Sequence, residues 1–115
     1  GTCASMSVEQ LTTHLSQRLG RSVTHLDGGP DLIQRIGWCT GAAQDLIHVA
    51  HAQGCDAYIS GEVSERTFYE AQELGIHYFA CGHHATERGG VQRLGQAIAD
   101  QFTISVQFVD TANPI

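Results

Sequence analysis

Leu11, Leu15 and Leu19 recur at every fourth position, the spacing that lays one apolar stripe along a helix, and predict a helix from Val8 to Leu19. Ser7 suits its N-cap, with Gln10 completing a capping box, and Gly20 stops it. A short extended piece, Ser22 to Leu26, leads into the turn Asp27-Gly28-Gly29-Pro30. Beyond the turn, strands and helices alternate. Ile33 to Cys39 reads as a strand, and Ala42 to Gln53 as a helix closed by Gly54. Ala57 to Ser60 is a short strand, and Glu65 to Leu74 a helix closed by Gly75. Ile76 to Cys81 is a further strand and His84 to Asp100 a further helix. Thr103 to Val109 alternates as a final strand, with Thr111 to Ile115 as tail. The succession predicts an α/β layered domain with a mixed, mainly parallel sheet and flanking helices. Residues 1–6 read as a tail left by trimming, and 7–115 as one domain.

Composition narrows this picture. At 115 residues, with 42% hydrophobic and 16% charged positions, the chain has the make-up of one ordinary globular domain. No apolar run approaches the roughly 18 residues of a membrane helix. The opening Gly1-Thr2-Cys3-Ala4-Ser5 lacks the basic and apolar parts of a signal peptide and does not begin with Met, so a piece of a longer protein is expected. The net charge is −6, and all six cations are Arg. Without Lys there is neither a Schiff-base lysine nor a P-loop lysine. The scattered Arg residues form no basic stripe, so a nucleic-acid duplex is not an expected partner. Cys3, Cys39, Cys55 and Cys81 form no C-x-x-C pair and read as reduced thiols of a cytoplasmic protein.

Candidate chemistry gathers where strands end. Cys39-Thr40-Gly41, Ile59-Ser60-Gly61 and Ala80-Cys81-Gly82 each finish a strand with a small residue and then glycine. Ligands of open α/β sheets bind beyond the carboxyl ends of strands. Parallel strands would therefore collect Thr40, Glu62, His83, His84 and Glu87 along one edge. His83 and Glu87 are four apart and share one helix face, which suits either half a metal site or an incidental ion pair. His84 points about 100° away from His83 and suits an outer-shell group, a proton shuttle or a carbonyl partner. Cys81 reads as a small buried hydrophobe and Trp38 as a core or interface residue. His48 and His51 read as a solvated helix face. His14 and His25 have no acidic ligand at metal spacing, and His77 reads as a satisfied or surface histidine. H-E-x-x-H, P-C-x-x-C, G-x-S-x-G and G-x-G-x-x-G do not occur.

Trp38-Cys39-Thr40-Gly41, Ile59 to Glu65 and Gly82 to Gly90 together resemble the bacterial GTP cyclohydrolase type 2 homologs, the YbgI-like dinuclear metal proteins. Asn113-Pro114 also resembles that family's chain end. The three motifs stand in the family's order and spacing, and the likeness covers the C-terminal half of a family member. The resemblance implies two similar α/β halves sharing a site for two divalent metal ions. His83 and Glu87 would be this half's ligands, while a His-His pair and an Asp would come from the N-terminal half, which has no counterpart here. It also implies ring-shaped hexamers, hydrolytic opening of a purine nucleotide ring, and a wider role in handling damaged nucleotides, including those of DNA damage. His84 and Glu62 would then be candidates for proton transfer, with Thr40, Gly41, Gly61 and Gly82 lining the site. Imidazole and carboxylate ligands suit Zn, Fe, Mn, Co or Ni alike. The expectation is the C-terminal half of a hydrolase-like dinuclear metal protein acting on a small molecule. The alternative is a non-catalytic, metal-dependent scaffold or regulatory binding protein. On either reading the isolated chain is expected to hold no metal and to be inactive.

Overall fold

A computed structural model describes all 115 residues, Gly1–Ile115. The strands are β1 (Thr2–Met6), β2 (Thr24–Leu26), β3 (Ile33–Cys39), β4 (Ala57–Ser60) and β5 (His77–Ala80). The helices are α1 (Val8–Leu19), α2 (Ile47–Ala52), α3 (Glu65–Leu74) and α4 (His83–Phe102). The strands form one sheet in the order β1-β3-β4-β5-β2. Its centre, β3-β4-β5, is parallel, and the flanking strands β1 and β2 are antiparallel to their neighbours. The mixed α/β architecture expected from the sequence is therefore present.

Local chemistry sets the helix limits. The Ser7 hydroxyl accepts from the Gln10 N–H at 3.3 Å while the Gln10 side chain accepts from the Ser7 N–H at 2.8 Å, a closed capping box. Gly20 and Gly75 end α1 and α3 at φ +70°, a left-handed geometry that costs glycine nothing. The sheet then buries both faces. On one, Leu11 of α1 packs with Ile33, Ala57, Phe79 and Cys81. On the other, α2 and α3 bring Ile47, Ala50 and Ala71 against Tyr58, Ile76 and Tyr78. Burial pushes the Cys81 thiol up to about 11, in keeping with a packing role.

Three expectations change. Residues 1–6 are not a tail: Thr2–Met6 forms an edge strand on β3, and the Gly1 carbonyl accepts from the Ile36 N–H at 2.9 Å. The single helix expected over Ala42–Gln53 is a 3-10 turn, Gln44–Leu46, followed by α2. Its first residues are drawn into a loop in which the Ala43 carbonyl accepts from the Tyr58 hydroxyl at 2.8 Å. Thr103–Val109 makes no ladder. Thr103 is left-handed at φ 54°, and the chain folds back so that Val106 and Phe108 line a groove with Leu94, Gly95 and Ile98 of α4. Its alternation thus faces a helix instead of a sheet edge.

Ile33 and Leu32 test this account of burial, because Ile33 is fully buried whereas Leu32 is 57% exposed. Ile33→Ala should destabilise the chain by about 2–5 kcal/mol in urea denaturation. Leu32→Ala should stay within about 0.5 kcal/mol of the parent.

Candidate metal centre at the strand ends

The parallel strands end together, and their last residues are laced to one another. The Gly41 carbonyl accepts from the Gly61 N–H at 3.0 Å, the Glu62 N–H at 3.2 Å and the Ser60 hydroxyl at 3.2 Å. The next strand end is tied on by the Gly82 N–H, 2.9 Å from the Gly61 carbonyl. This lacing needs glycine. A Cβ on Gly61 would lie 2.7 Å from the Gly41 carbonyl oxygen and 2.8 Å from the His83 Cα. A Cβ on Gly41 would collide with the Glu87 carboxylate and approach His83 Nε2 to 3.1 Å. Gly41 and Gly82 also adopt φ of +69° and +92°.

Gly82 opens α4, which puts His83 and Glu87 on the turn facing this junction. His83 Nε2 lies 3.1 Å from Glu87 Oε2, and its Nδ1 lies 2.6 Å from Glu62 Oε1. Thr86 braces the turn: its hydroxyl donates to the His83 carbonyl at 3.0 Å and accepts from the Gly41 N–H at 3.2 Å. The Glu62 carbonyl in turn accepts from the Tyr78 hydroxyl. The hydrogen bond that His83 donates to Glu62, with added attraction from the Glu87 carboxylate, raises the His83 pKa above its usual 6.5.

The donor set fits a metal ion. Ligand atoms about 2.0–2.2 Å from one ion stand about 3 Å from each other, close to the observed separation of His83 Nε2 and Glu87. With Nδ1–H donated to Glu62, the Nε2 lone pair is free to ligate, the usual outer-shell arrangement of a metal-bound histidine. His83, Glu87, Glu62, Gly41, Gly61 and Gly82 are thus brought together as the sequence suggested. Two other candidates are not. His84 turns away and meets Asp110 at 2.8 Å, and that bond, with Arg88 beside it, holds the Asp110 carboxyl below the usual range. Thr40 lines an adjoining apolar groove with Trp38, Leu15, Ile59 and Thr86. Trp38 is 67% exposed and so is not a core residue.

A further group escaped sequence reasoning. His25, Asp27 and His77 offer ligand atoms that all lie within 4.8 Å of one another, a set that could hold a metal ion. The expectation that His25 has no acidic ligand at metal spacing is therefore corrected. Asp27 follows it by two residues, which on an extended segment is the same side. That spacing was the available signal; His77, from a distant strand, had none. Burial and the neighbouring His77 lower the His25 pKa.

Comparison with known proteins places the chain in a family. The family model Duf34/NIF3 (NGG1p interacting factor 3) matches residues 1–114. A Vibrio cholerae protein described as GTP cyclohydrolase 1 type 2 homolog is 48% identical over 109 residues, covering 93% of this chain and 43% of its own length. An Escherichia coli K12 protein of the same description is 44% identical over 106 residues, covering 91% of this chain and 43% of its own. The solved structure of protein ybgI, described as of unknown function, superposes with a TM-score of 0.93 at 42% identity, over 97% of this chain and 46% of that one. The chain thus spans somewhat under half the length of the curated relatives it matches.

The site's electrostatics give a direct test. In the metal-free chain, His83 should titrate above 6.5 by NMR, and Glu62→Gln should bring the value down. Because the folded pKa is raised, the stability this pairing adds is complete below about 6.5 and lost as pH rises through the folded value. A metal at Nε2 must displace that proton, so affinity should climb over the same interval.

Proposed function

From the premise that this chain belongs to the Duf34/NIF3 family, we propose that it is the C-terminal half of a hydrolase-like protein with a dinuclear metal site. The observation that carries the reading is the pairing of His83 Nε2 with Glu87 at 3.1 Å while Glu62 secures the opposite ring nitrogen at 2.6 Å. His83 and Glu87 are this half's ligands, and the other half supplies the rest. Two divalent ions held there would supply Lewis acidity for a hydrolytic reaction. The chain's own residues do the positioning. Glu62 fixes the ring and tautomer of His83, Thr86 holds the first turn of α4, and the glycine junction keeps that turn against the strand ends. The relatives' description as GTP cyclohydrolase homologs supports a purine nucleotide, intact or damaged, as substrate. Cytoplasmic location and assembly into a ring-shaped hexamer belong to the same proposal. No helix here is long and apolar enough to cross a membrane.

One observation favours a second reading, a metal-dependent scaffold or regulatory binding protein without turnover. Both side chains that could move protons are already engaged, His84 by Asp110 at 2.8 Å and Glu62 by His83 at 2.6 Å.

Metal analysis of a protein carrying both halves tests the site. His83→Ala and Glu87→Ala should each weaken metal binding by more than the roughly 10- to 100-fold that loss of an outer-shell partner costs. Unchanged metal content in both variants would sink the assignment. Turnover of a purine nucleotide by the loaded parent, lost in both variants, would select the hydrolase. Full metal loading with no turnover across a nucleotide panel would select the scaffold.

A further inference from the structure

We propose that His25, Asp27 and His77 form a second, self-contained site for one zinc-class divalent ion, at the end of the sheet opposite His83. His77 opens β5, whereas His83 follows its carboxyl end, so the length of the strand separates the two places. The antiparallel pairing of β2 with β5 sets His25 opposite Phe79, on the same face as His77 two residues earlier. The chain then turns, and Asp27 comes up beside His77.

Two of the three donor pairs stand at the spacing of ligands around one small ion, and all three donors lie within 4.8 Å of one another. His25 Nε2 lies 3.1 Å from His77 Nδ1, and Asp27 Oδ1 lies 3.3 Å from that same nitrogen. Ligand bonds of about 2.0–2.2 Å in tetrahedral geometry place neighbouring donors about 3.3 Å apart. Two nitrogens and one carboxylate oxygen leave a fourth position for water, the donor count of an open zinc site.

Two of the three ligands are held in place beforehand. His77 is only 2% exposed, and its Nε2 stands 2.9 Å from the Pro30 carbonyl. A carbonyl can only accept, so Nε2 carries the proton and Nδ1 presents its lone pair to His25 and Asp27. Gly29 lets the backbone lie against this ring, since a Cβ there would be 2.6 Å from His77 Cδ2. The Gly29 N–H also points to Nδ1, at 3.3 Å, and is the contact an ion would displace. His25 is stacked on Phe79 with ring centroids 4.8 Å apart. Asp27, at 84% side-chain exposure, closes the site from the solvent side. None of these groups comes from outside the chain, so the site would fill in the isolated 115-residue polypeptide.

Titration of the purified chain with zinc chloride, followed by calorimetry and repeated with Co(II) to read the visible bands of a four-coordinate ion, tests this. Binding at about micromolar Kd or tighter is expected. Asp27→Asn and His25→Gln should each weaken it by at least about tenfold, and His83→Ala should leave that binding event in place. Asp27 is exposed, so its variant should fold; NMR of the His77 ring adds a second readout, with Nδ1 shifting on zinc addition. No binding, or binding that survives both Asp27→Asn and His25→Gln, would overturn the assignment and leave a hydrogen-bonded His25–His77 pair with Asp27 beside it. Binding lost only in His83→Ala would assign the ion to the other site and overturn it equally, while supporting the role proposed above for His83.

Discussion

The Gly41 carbonyl is the point on which the strand-end junction beside His83 depends. Three donors converge on it, from Ser60, Gly61 and Glu62, and the end of β5 is laced to Gly61 in turn. A bare strand-end carbonyl would cost free energy unless paired or solvated. Satisfying it three times over draws two strand ends closer than side chains allow. Glycine at 41 and 61 is therefore a condition of the crossing, and it is what lets α4 begin hard against the sheet. The position of His83 follows from that closeness: its Cα lies 2.8 Å from where a Gly61 Cβ would stand.

The same backbone economy recurs at the other end of β5. There Gly28 and Gly29 carry the chain across the start of the strand, and a Cβ on either would strike neighbouring backbone within 3 Å. The result is a buried histidine whose ring is set by a carbonyl and a backbone amide instead of by carboxylates. The two ends thus differ in kind. His83 stands between two acidic side chains, is more than a third exposed, and has its protonated form favoured. His77 is enclosed, and its acidic neighbour reaches it only from the solvent side. Only His77 is enclosed in this way; Asp27 beside it is open to solvent.

Features written in local chemistry were legible in the sequence. The Ser7 capping box, the Gly20 and Gly75 caps and the extents of β3, β4 and α3 follow from neighbours a few residues apart, and each stands where it was expected. The glycine-ended strands also pointed to the edge at which His83, Glu87 and Glu62 meet. What could not be read was pairing between distant segments. Thr2–Met6 has no strand character of its own and is fixed by the open side of β3. The alternation of Ile104, Val106 and Phe108 is that of a strand, but Val106 and Phe108 line a groove on α4 instead of joining a ladder. The triad is the sharpest case. His25 and Asp27 are neighbours, yet His77 is 52 residues from His25, and only the β2–β5 register joins them.

His83 and His84 show how one helical step divides chemistry between adjacent identical residues. A rotation of about 100° per residue cannot aim both rings at one place. The side facing the strand ends holds Glu62 and Glu87, and the adjoining side holds the returning C-terminal segment. There Asp110 takes His84 and Arg88 together, and the His84 N–H donates to the Ile115 carbonyl at 3.0 Å. Arg88 also donates to the Leu19 carbonyl at 2.8 Å, which ties the end of α1 to the same cluster. His84 thereby acts in packing the first turn of α4, with the chain's last residues on one flank and α1 on the other. The same turn carries His83, so the contacts of His84 and Arg88 on its outer side help hold the helix start that sets His83 beside Glu62 and Glu87.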